Sequence, residues 1–190
     1  MTTPPSTERP LRADARRNRD RILRAARVAC AEHGTSVQIS DVARGAGVGV
    51  GTVYRHFPTK EALIEALVAE KYTTAIATAR AALEVEDPWT AFVDMLRGNA
   101  EMMARDATLR DALTRLANED LPVAAEGRAE LEAVGGQVME RARAAGALRP
   151  DVTVDDIGML MSGLCASMTR PGDAWRRHFD LLIDGLRAQR

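Results

Sequence analysis

The sequence is poor in the residues that build β-sheets and disulfide frameworks. Aromatic residues make up only 4% of the 190 positions, and there are two cysteines. Aromatic and β-branched side chains favour strands, whereas alanine, leucine and arginine, which are abundant here, favour helices. Cys30 and Cys165 lie far apart and outside any Cys/His cluster, which excludes a disulfide framework and argues against a zinc site. We therefore predict an all-α protein with two buried thiols and no metal.

The sequence also lacks long apolar runs and a catalytic constellation. No stretch of 18 apolar residues occurs, which excludes a membrane-spanning helix. The N-terminal segment has no apolar core of the kind found in signal peptides. The three histidines are scattered, without a Ser/His/Asp, Cys/His or H-E-x-x-H arrangement. We expect a cytoplasmic protein that is not an enzyme and uses no cofactor.

Charge is distributed unevenly along a chain whose net charge is only −1. Residues 1–60 carry 11 Lys and Arg against 5 Asp and Glu, whereas residues 61–190 carry 15 against 22. A basic N-terminal part joined to an acidic remainder is what a DNA-binding domain requires. The alternative is a solvated basic tail.

Helical periodicity divides the chain into an arm and two domains. Prolines among polar residues predict a disordered arm over residues 1–13. A DNA-binding domain is expected over residues 14–60, and its first helix runs from Asp14 to His33, before Gly34. A ligand-binding and dimerisation domain is expected over residues 61–190. About nine helices are predicted in all, those after the second short helix lying near residues 60–85, 88–105, 107–117, 122–145, 153–169 and 172–188.

Residues 39–58 predict two short helices joined by a tight turn at Gly47-Val48-Gly49. We expect Ser40 to be the N-cap of the first helix. The second helix covers about residues 50–56 and ends before Pro58, which prevents its continuation. This is a helix-turn-helix arrangement, in which the second helix enters the major groove of DNA.

The same residues resemble the TetR family of bacterial transcriptional regulators. The block from Gly47 to Leu63 matches that family's second half-motif and the start of its next helix, and Ile22-Leu-Arg-Ala-Ala26 matches its first helix. Residues 150–157 also look like the entry to the family's penultimate helix. The specific resemblance covers about residues 20–75, and it implies a helix-turn-helix domain on a helical ligand-sensing and dimerising domain.

The resemblance implies which side chains contact DNA. Tyr54 and His56 match positions that bind phosphates, and Lys60 matches a lysine that neutralises a phosphate at a helix N-terminus. We expect Thr52 and Arg55 to reach base edges or adjacent phosphates. The alternatives are that Tyr54 is a core aromatic and that His56 is a plain surface residue. The full predicted DNA-binding set is Gln38, Ser40, Val50, Gly51, Thr52, Tyr54, Arg55, His56 and Lys60.

One departure from the family pattern concerns the start of the second helix. Gly49 stands where the family often has serine or threonine, and position 50 is an uncharged valine. Glycine is a tolerable N-cap. Val50 and Gly51 permit close approach to DNA and contact with a thymine methyl. We expect few polar base contacts from this end of the helix.

The resemblance implies that the last two helices, near 153–169 and 172–188, pair with their copies in a homodimer. Residues 157–168 support this independently, because they are apolar nearly all round and a helix of that kind must be covered on all sides. Small residues that permit close packing are Gly158, Ser162, Gly163 and Ala166. An apolar stripe on the final helix consists of Trp175, Phe179, Leu182, Ile183 and Leu186. The alternative is that both helices form the core of the monomer.

The middle helices carry apolar residues that are candidates for a small-molecule site. Methionine side chains adapt to irregular ligands, although most residues of this kind are ordinary core. The candidates are Trp89, Phe92, Met95, Leu96, Met102, Met103, Leu109, Leu113, Leu116, Met139, Met159 and Met161.

The resulting hypothesis is a homodimeric repressor that a small molecule releases from a palindromic operator in double-stranded DNA. An activator role is also open. The alternative from another class is a helical partner-binding adaptor without DNA binding, which the uncharged start of the second helix leaves open.

Overall fold

The computed structural model describes residues 8–33, 36–105, 122–168 and 172–189, and these residues fold into helices. No strand is present in these segments, whose β-pairing is limited to an isolated bridge between Leu148 and Arg187. The prediction of an all-α fold is confirmed. The eight helices are α1 (Glu8–His33), α2 (Ile39–Ala46), α3 (Val50–His56), α4 (Lys60–Leu83), α5 (Pro88–Arg105), α6 (Pro122–Ala144), α7 (Val154–Ser167) and α8 (Ala174–Leu186).

Helix α1 begins six residues earlier than predicted, at Glu8 instead of Asp14. The predicted disordered arm over residues 1–13 therefore extended too far, because residues 8–13 belong to this helix. Pro10 lies in the first turn, where a backbone N–H has no partner inside the helix and its absence costs little. Residues 1–7 lie outside the described part of the chain.

The other helix boundaries lie within a few residues of the predictions, and two of them are fixed by capping threonines. The Thr59 side chain accepts a hydrogen bond of 3.1 Å from the amide of Ala62 at the start of α4. At the start of α7, Thr153 and Asp156 form a capping box. The helix predicted over residues 107–117, with Leu109, Leu113 and Leu116, lies outside the described residues.

Two apolar cores hold the helices together. The N-terminal core joins α1, α2 and α3 to the first half of α4, with Ile22, Val42, Val53 and Val68 fully buried at its centre. The C-terminal core joins the second half of α4 to α5, α6, α7 and α8. None of the described helices is both long enough and apolar enough to cross a membrane.

Helix α4 belongs to both cores. Leu63 and Val68 pack in the N-terminal core, Ile76 and Ala79 pack in the C-terminal core, and Tyr72 between them contacts both. The sequence predicted a domain boundary at residue 60, where α4 starts. The packing of the N-terminal core instead continues to Val68, so that the two domains share one continuous helix.

A side chain of the C-terminal domain caps the C-terminal end of α4. The Arg141 guanidinium of α6 donates hydrogen bonds to the carbonyl oxygens of Leu83, at 2.7 Å, and Val85, at 2.9 Å. Leu83 is the last residue of α4 and Val85 lies two residues beyond it, so neither carbonyl has a backbone N–H partner within the helix. The second half of α4 is thereby fixed to α6.

Candidate nucleic-acid interface

The turn between α2 and α3 is built on a glycine in the left-handed conformation. Gly47 has φ 62° and ψ 39°, and its N–H is directed at the carbonyls of Ala43 and Arg44. Arg21 of α1 donates a hydrogen bond of 2.6 Å to the carbonyl oxygen of Ala46 and thereby ties this turn to α1. A side chain at position 47 would be strained by this φ, and its Cβ would lie 3.0 Å from the Arg21 guanidinium. The predicted turn is confirmed.

The start of α2 differs from the prediction. Ser40 is not the N-cap; Gln38 occupies that position, and its side chain makes no capping bond. Instead, the Gln38 amide donates a hydrogen bond of 3.0 Å to the carbonyl oxygen of Ser36. The helix starts at Ile39 because that side chain is buried in the N-terminal core and sets where the helix must begin. Gln38 and Ser40 remain exposed next to each other at this end of α2.

Helix α3 is held by two buried side chains and exposes the opposite face. Val53 and Phe57 pack in the N-terminal core, and the Arg19 guanidinium lies 5.3 Å from the centre of the Phe57 ring. On the other face, Val50 is 43% exposed and Tyr54 is 47% exposed. These two residues are four positions apart and therefore lie one above the other on the same side of the helix. The alternative that Tyr54 is a core aromatic is wrong.

The remaining predicted residues of α3 surround this exposed pair. Gly51 and Arg55 are exposed, and Thr52 and His56 are half-buried. A Cβ at Gly51 would meet nothing within 4 Å, so that packing within the chain does not require glycine there. Gly49 is the N-cap of α3 and supplies no side-chain bond.

Lys60 lies beside α3, as the first residue of α4. It is half-buried, and the N-terminal amides of α4 lie at the same place. The ring of His56, at the end of α3, lies 6.5 Å from the ring of Phe57 in the segment that joins the two helices. The end of α3 and the start of α4 thus present a histidine, a lysine and a helix N-terminus within a few residues of chain, an arrangement suited to an anion.

A cavity of about 690 Å³ lies in the C-terminal domain among α4, α5, α6 and α7. Its wall contains seven of the predicted ligand residues, namely Met95, Leu96, Met102, Met103, Met139, Met159 and Met161. Trp89 and Phe92 are not in the wall. The centres of their rings lie 5.7 Å apart, and Phe92 is fully buried in the C-terminal core.

The cavity wall also contains polar residues that the sequence did not reveal, among them Lys71, Tyr72, Asn99 and Arg128. Burial raises the pKa of the Tyr72 phenol; the nearby Arg128 acts in the opposite direction and Glu132 in the same direction. Asn99 lies on the same helix face as Met95 and Met102, and this spacing could have indicated from the sequence that Asn99 lines the cavity. Asn99 was not predicted because polar residues in helices usually face solvent.

The apolar stripe of α8 differs from the prediction, whereas the small residues of α7 are exposed. Trp175, Phe179, Ile183 and Leu186 are buried inside the chain, so this stripe of α8 is core, as one alternative held. The surface left exposed consists of the small residues of α7 together with Met159, which is 66% exposed, and Leu181, which is 51% exposed. The small residues in question are Gly158, Ser162, Gly163 and Ala166.

Within the described ranges, no group of three His, Cys, Asp or Glu residues is arranged to hold a metal ion. The architecture defines a class: a helix-turn-helix protein whose second domain is helical and contains a cavity.

Comparison with known proteins identifies the family. A family model described as bacterial regulatory proteins, tetR family, matches residues 22–67. A second model, described as transcriptional regulator SbtR-like, C-terminal domain, matches residues 87–188, which is more than half of the chain. The chain belongs to the TetR family of bacterial transcriptional regulators. Membership in a family of regulators also confirms that the protein is not an enzyme.

Individual relatives agree with this assignment. The chain is 36% identical over 112 residues to the transcriptional repressor KstR of Mycolicibacterium smegmatis, an alignment that covers 57% of this chain and 55% of KstR. The chain therefore spans about half the length of this curated relative. The structure of a TetR regulatory protein from Mycobacterium vanbaalenii is 35% identical, with a TM-score of 0.68, covering 94% of this chain and 99% of that one. A TetR regulator from Streptomyces coelicolor is 31% identical, also with a TM-score of 0.68, covering 90% and 99%.

Proposed function

We propose that this protein is a homodimeric transcriptional repressor that binds a palindromic operator through α3 and is released when a small molecule occupies its C-terminal cavity. The observation that carries the proposal is the exposed face of α3, which presents Val50, Tyr54 and Arg55 beside the N-terminus of α4. A major groove about 12 Å wide accepts a helix of this kind.

The DNA contacts divide into positioning and reading. Tyr54, His56 and Lys60 bind phosphates, and the N-terminal dipole of α4 adds to the attraction at Lys60. Thr52 and Arg55 contact base edges or neighbouring phosphates, while Val50 and Gly51 allow the helix to approach the bases closely. Gln38 and Ser40, exposed at the start of α2, contact the backbone of the opposite strand.

The homodimer forms through the outer faces of α7 and α8. Small residues on α7 permit close approach of the partner helix, and the exposed side chains of Met159 and Leu181 lose their contact with water when it is in place. A groove of about 490 Å³ between the two helices contains both side chains. Two-fold symmetry then places the two α3 helices about one DNA turn apart, roughly 34–36 Å, which requires an operator with inverted repeats.

Release follows from the shared helix α4. Ala75 and Tyr72 of α4 line the cavity, and Leu63 and Val68 of the same helix pack against the DNA-binding motif. A ligand that fits the cavity better in one position of α4 shifts the population towards that position. Release occurs if the favoured position changes the separation of the two α3 helices.

Selection of DNA from a randomised library by the full-length protein tests the proposal. We expect enrichment of an inverted repeat whose half-sites are about 10 base pairs apart, centre to centre. Binding to that sequence should weaken steeply between low and moderate salt, because phosphate contacts release counterions. Failure to enrich any sequence, or affinity that does not depend on salt, would favour the adaptor alternative.

A further inference from the structure

Methionine dominates the wall of the C-terminal cavity. Six of the eight methionines in the chain line it, namely Met95, Met102, Met103, Met139, Met159 and Met161. Thioether side chains are unbranched and polarizable, and they adapt to irregular apolar shapes better than branched side chains do. The volume of about 690 Å³ lies inside the range of small-molecule sites. The cavity is therefore suited to a ligand with a large apolar part.

The charged residues in the described part of the wall balance one another. Lys71 and Arg128 carry positive charge, and Glu132 and Asp155 carry negative charge. Arg128 and Glu132 are one helical turn apart on α6, where opposite charges attract. An ionic ligand would have to lose its hydration without a surplus of opposite charge in the wall, which is unfavourable. The charge balance therefore favours an uncharged ligand.

Asn99 is the polar residue in an otherwise apolar face of α5. Met95, Leu96, Asn99, Met102 and Met103 follow the spacing of one helix face, and all five belong to the cavity wall. The Oδ1 atom of Asn99 is buried and accepts no hydrogen bond from the described residues. A buried acceptor without a donor is unfavourable, and a leucine or methionine here would avoid this cost. The asparagine is explained if its partner arrives with the ligand.

Building on the ligand-responsive function proposed above, we propose that the cavity binds an uncharged, mainly apolar molecule with one hydrogen-bond donor, and that Asn99 recognises that donor. The apolar part of the molecule lies among the methionines, and its O–H or N–H group donates to the Asn99 side chain. Rotation of the Asn99 amide group by half a turn about its Cβ–Cγ bond exchanges the positions of its oxygen and nitrogen, so that the oxygen can accept from a donor on either side.

A matched pair of fluorescent probes tests the charge preference. N-phenyl-1-naphthylamine is uncharged and apolar with one N–H, and 8-anilino-1-naphthalenesulfonate has the same ring framework with a sulfonate added. Titrated into the full chain, the uncharged probe should bind saturably at one site, at least about tenfold more tightly than the anion. Equal or tighter binding of the anion, or the absence of saturable binding of the uncharged probe, would overturn the ligand class.

A comparison of two probes, with and without the N–H group, on the wild-type protein and on single variants tests the role of Asn99. Wild-type protein should prefer N-phenyl-1-naphthylamine over its N-methyl derivative by about tenfold, the effect of one buried hydrogen bond. Asn99→Leu should abolish this preference. The methyl group also changes the shape of the probe, but this effect is the same in both proteins and cancels when their preferences are compared. Gln137→Leu, at an exposed position of α6 outside the cavity, is the matched control and should keep the preference. A preference that persists in Asn99→Leu overturns the assignment, and Asn99→Ala gives the same reading if the leucine variant does not fold.

Measuring operator binding in the absence and in the presence of the probes distinguishes failure of the proposed repressor function from failure of the proposed ligand class. A protein that discriminates the probes as described but stays on its operator retains this inference and loses ligand-induced release. A protein that binds its operator but shows no Asn99-dependent discrimination retains the repressor function and loses this inference.

Discussion

Tyr54 and Val50 expose apolar surface on a helix of seven residues, and nothing in the N-terminal core requires either side chain. A single exposed apolar residue is common in soluble proteins, but two on one turn of a short helix indicate a surface that contacts a partner. Arg55 and Lys60 at the edge of this surface indicate that the partner is anionic. The residues that hold α3 and the residues that face outwards are therefore separable by mutation.

We predict that Tyr54→Ala and Lys60→Ala each abolish operator binding at moderate salt without unfolding the protein, because both lie outside the buried core. At low salt, where residual binding is measurable, Lys60→Ala should reduce the slope of log affinity against log salt by about 1. Gel-shift titrations at several salt concentrations measure this. Glu61→Ala, at the neighbouring exposed position, should bind DNA at least as well as the unaltered chain. Intact binding by both Tyr54→Ala and Lys60→Ala would contradict the assignment.

Two glycines of the motif should respond oppositely to alanine. Gly47→Ala forces a side chain into a left-handed conformation and should destabilise the protein by roughly 1–2 kcal/mol. Gly51→Ala adds a Cβ that meets nothing within 4 Å, and helix propensity should stabilise the fold by up to about 1 kcal/mol. Urea unfolding measures both changes. The same Gly51→Ala variant should bind operator more weakly, because the added methyl group faces the DNA; unchanged affinity would remove position 51 from the interface.

At the scale of the elements, α4 and α6 pack against each other at a glycine that leaves no room for a side chain. A Cβ at Gly127 of α6 would lie 2.6–2.7 Å from the Cβ, Cγ and Cδ2 atoms of Tyr72 on α4, which is closer than such atoms come. Tyr72 is the residue that contacts both cores and also lines the cavity. The contact that limits how closely α4 and α6 can pack therefore involves a residue that also lines the cavity of the proposed ligand.

We predict that Gly127→Ala destabilises the protein by about 1–3 kcal/mol through overpacking against the tyrosine ring. The test is a double-mutant cycle with Tyr72→Gly, measured by urea unfolding. Because only glycine removes the Cβ of Tyr72 together with its ring, Gly127→Ala should cost much less in the Tyr72→Gly background. Additive effects of the two substitutions would show that the contact is not the cause.

The capping box of α7 makes that helix sensitive to acid. Thr153 donates hydrogen bonds to the Asp156 carboxylate from its hydroxyl, at 2.7 Å, and from its backbone N–H, at 2.8 Å. These bonds hold the pKa of Asp156 below its ordinary value. A carboxyl with a depressed pKa in the folded state stabilises the protein above its unfolded pKa, about 3.9, and loses this contribution as pH falls through the folded pKa.

Asp156→Asn should therefore be less stable than the unaltered protein at pH 5, and the difference should shrink as pH falls below about 4. Urea midpoints measured for both proteins between pH 5 and 2.5 give the comparison. Other carboxyls with lowered pKa, such as Asp87 and Asp151, titrate in both proteins and cancel in the difference. A difference that stays constant with pH would contradict the role of the ionised carboxylate.

At the scale of the whole molecule, the proposed dimer depends on the small residues of α7. A Cβ at Gly163 would meet nothing within 4 Å among the described residues, so we expect substitution there to leave the fold of one copy intact. We predict that Gly163→Glu yields monomers, because it places bulk and charge where the partner helix would pack. Analytical ultracentrifugation measures the oligomeric state. Loss of the second DNA-binding domain should lower operator affinity by about 100-fold or more.

Ala133→Glu, at an exposed position of α6, adds the same charge outside helices α7 and α8 and is the matched control. It should remain dimeric and bind operator normally. A dimer that survives Gly163→Glu would exclude this face as the interface.

The fold was predictable from sequence wherever periodicity and turn residues agree. Val53 and Phe57 are buried and Tyr54 is exposed because helical spacing separates them, and Gly47 marks the turn because of its conformation. Ser40 was wrongly assigned as an N-cap because burial of Ile39 outweighs the local preference for serine. Tyr72 and Asn99 escaped notice because a cavity wall assembles residues from four helices, and no single helix reveals which of its polar residues faces the others. The stripe of α8 was read as an interface because periodicity identifies an apolar face but not what covers it.

Helix α4 contributes one end to each core, and this has a consequence for exchanging domains between regulators. A rod of 24 residues, roughly 36 Å long, transmits rotation from one end to the other without an intervening hinge. A chimera cut at residue 60 would deprive the DNA-binding motif of Leu63, Ile64, Leu67 and Val68, which complete its interior. A working transplant must carry the sequence through Val68 and rejoin the new domain near Tyr72, in the same helical phase. One residue inserted in α4 between these points would turn the reading surface by about 100° relative to the cavity.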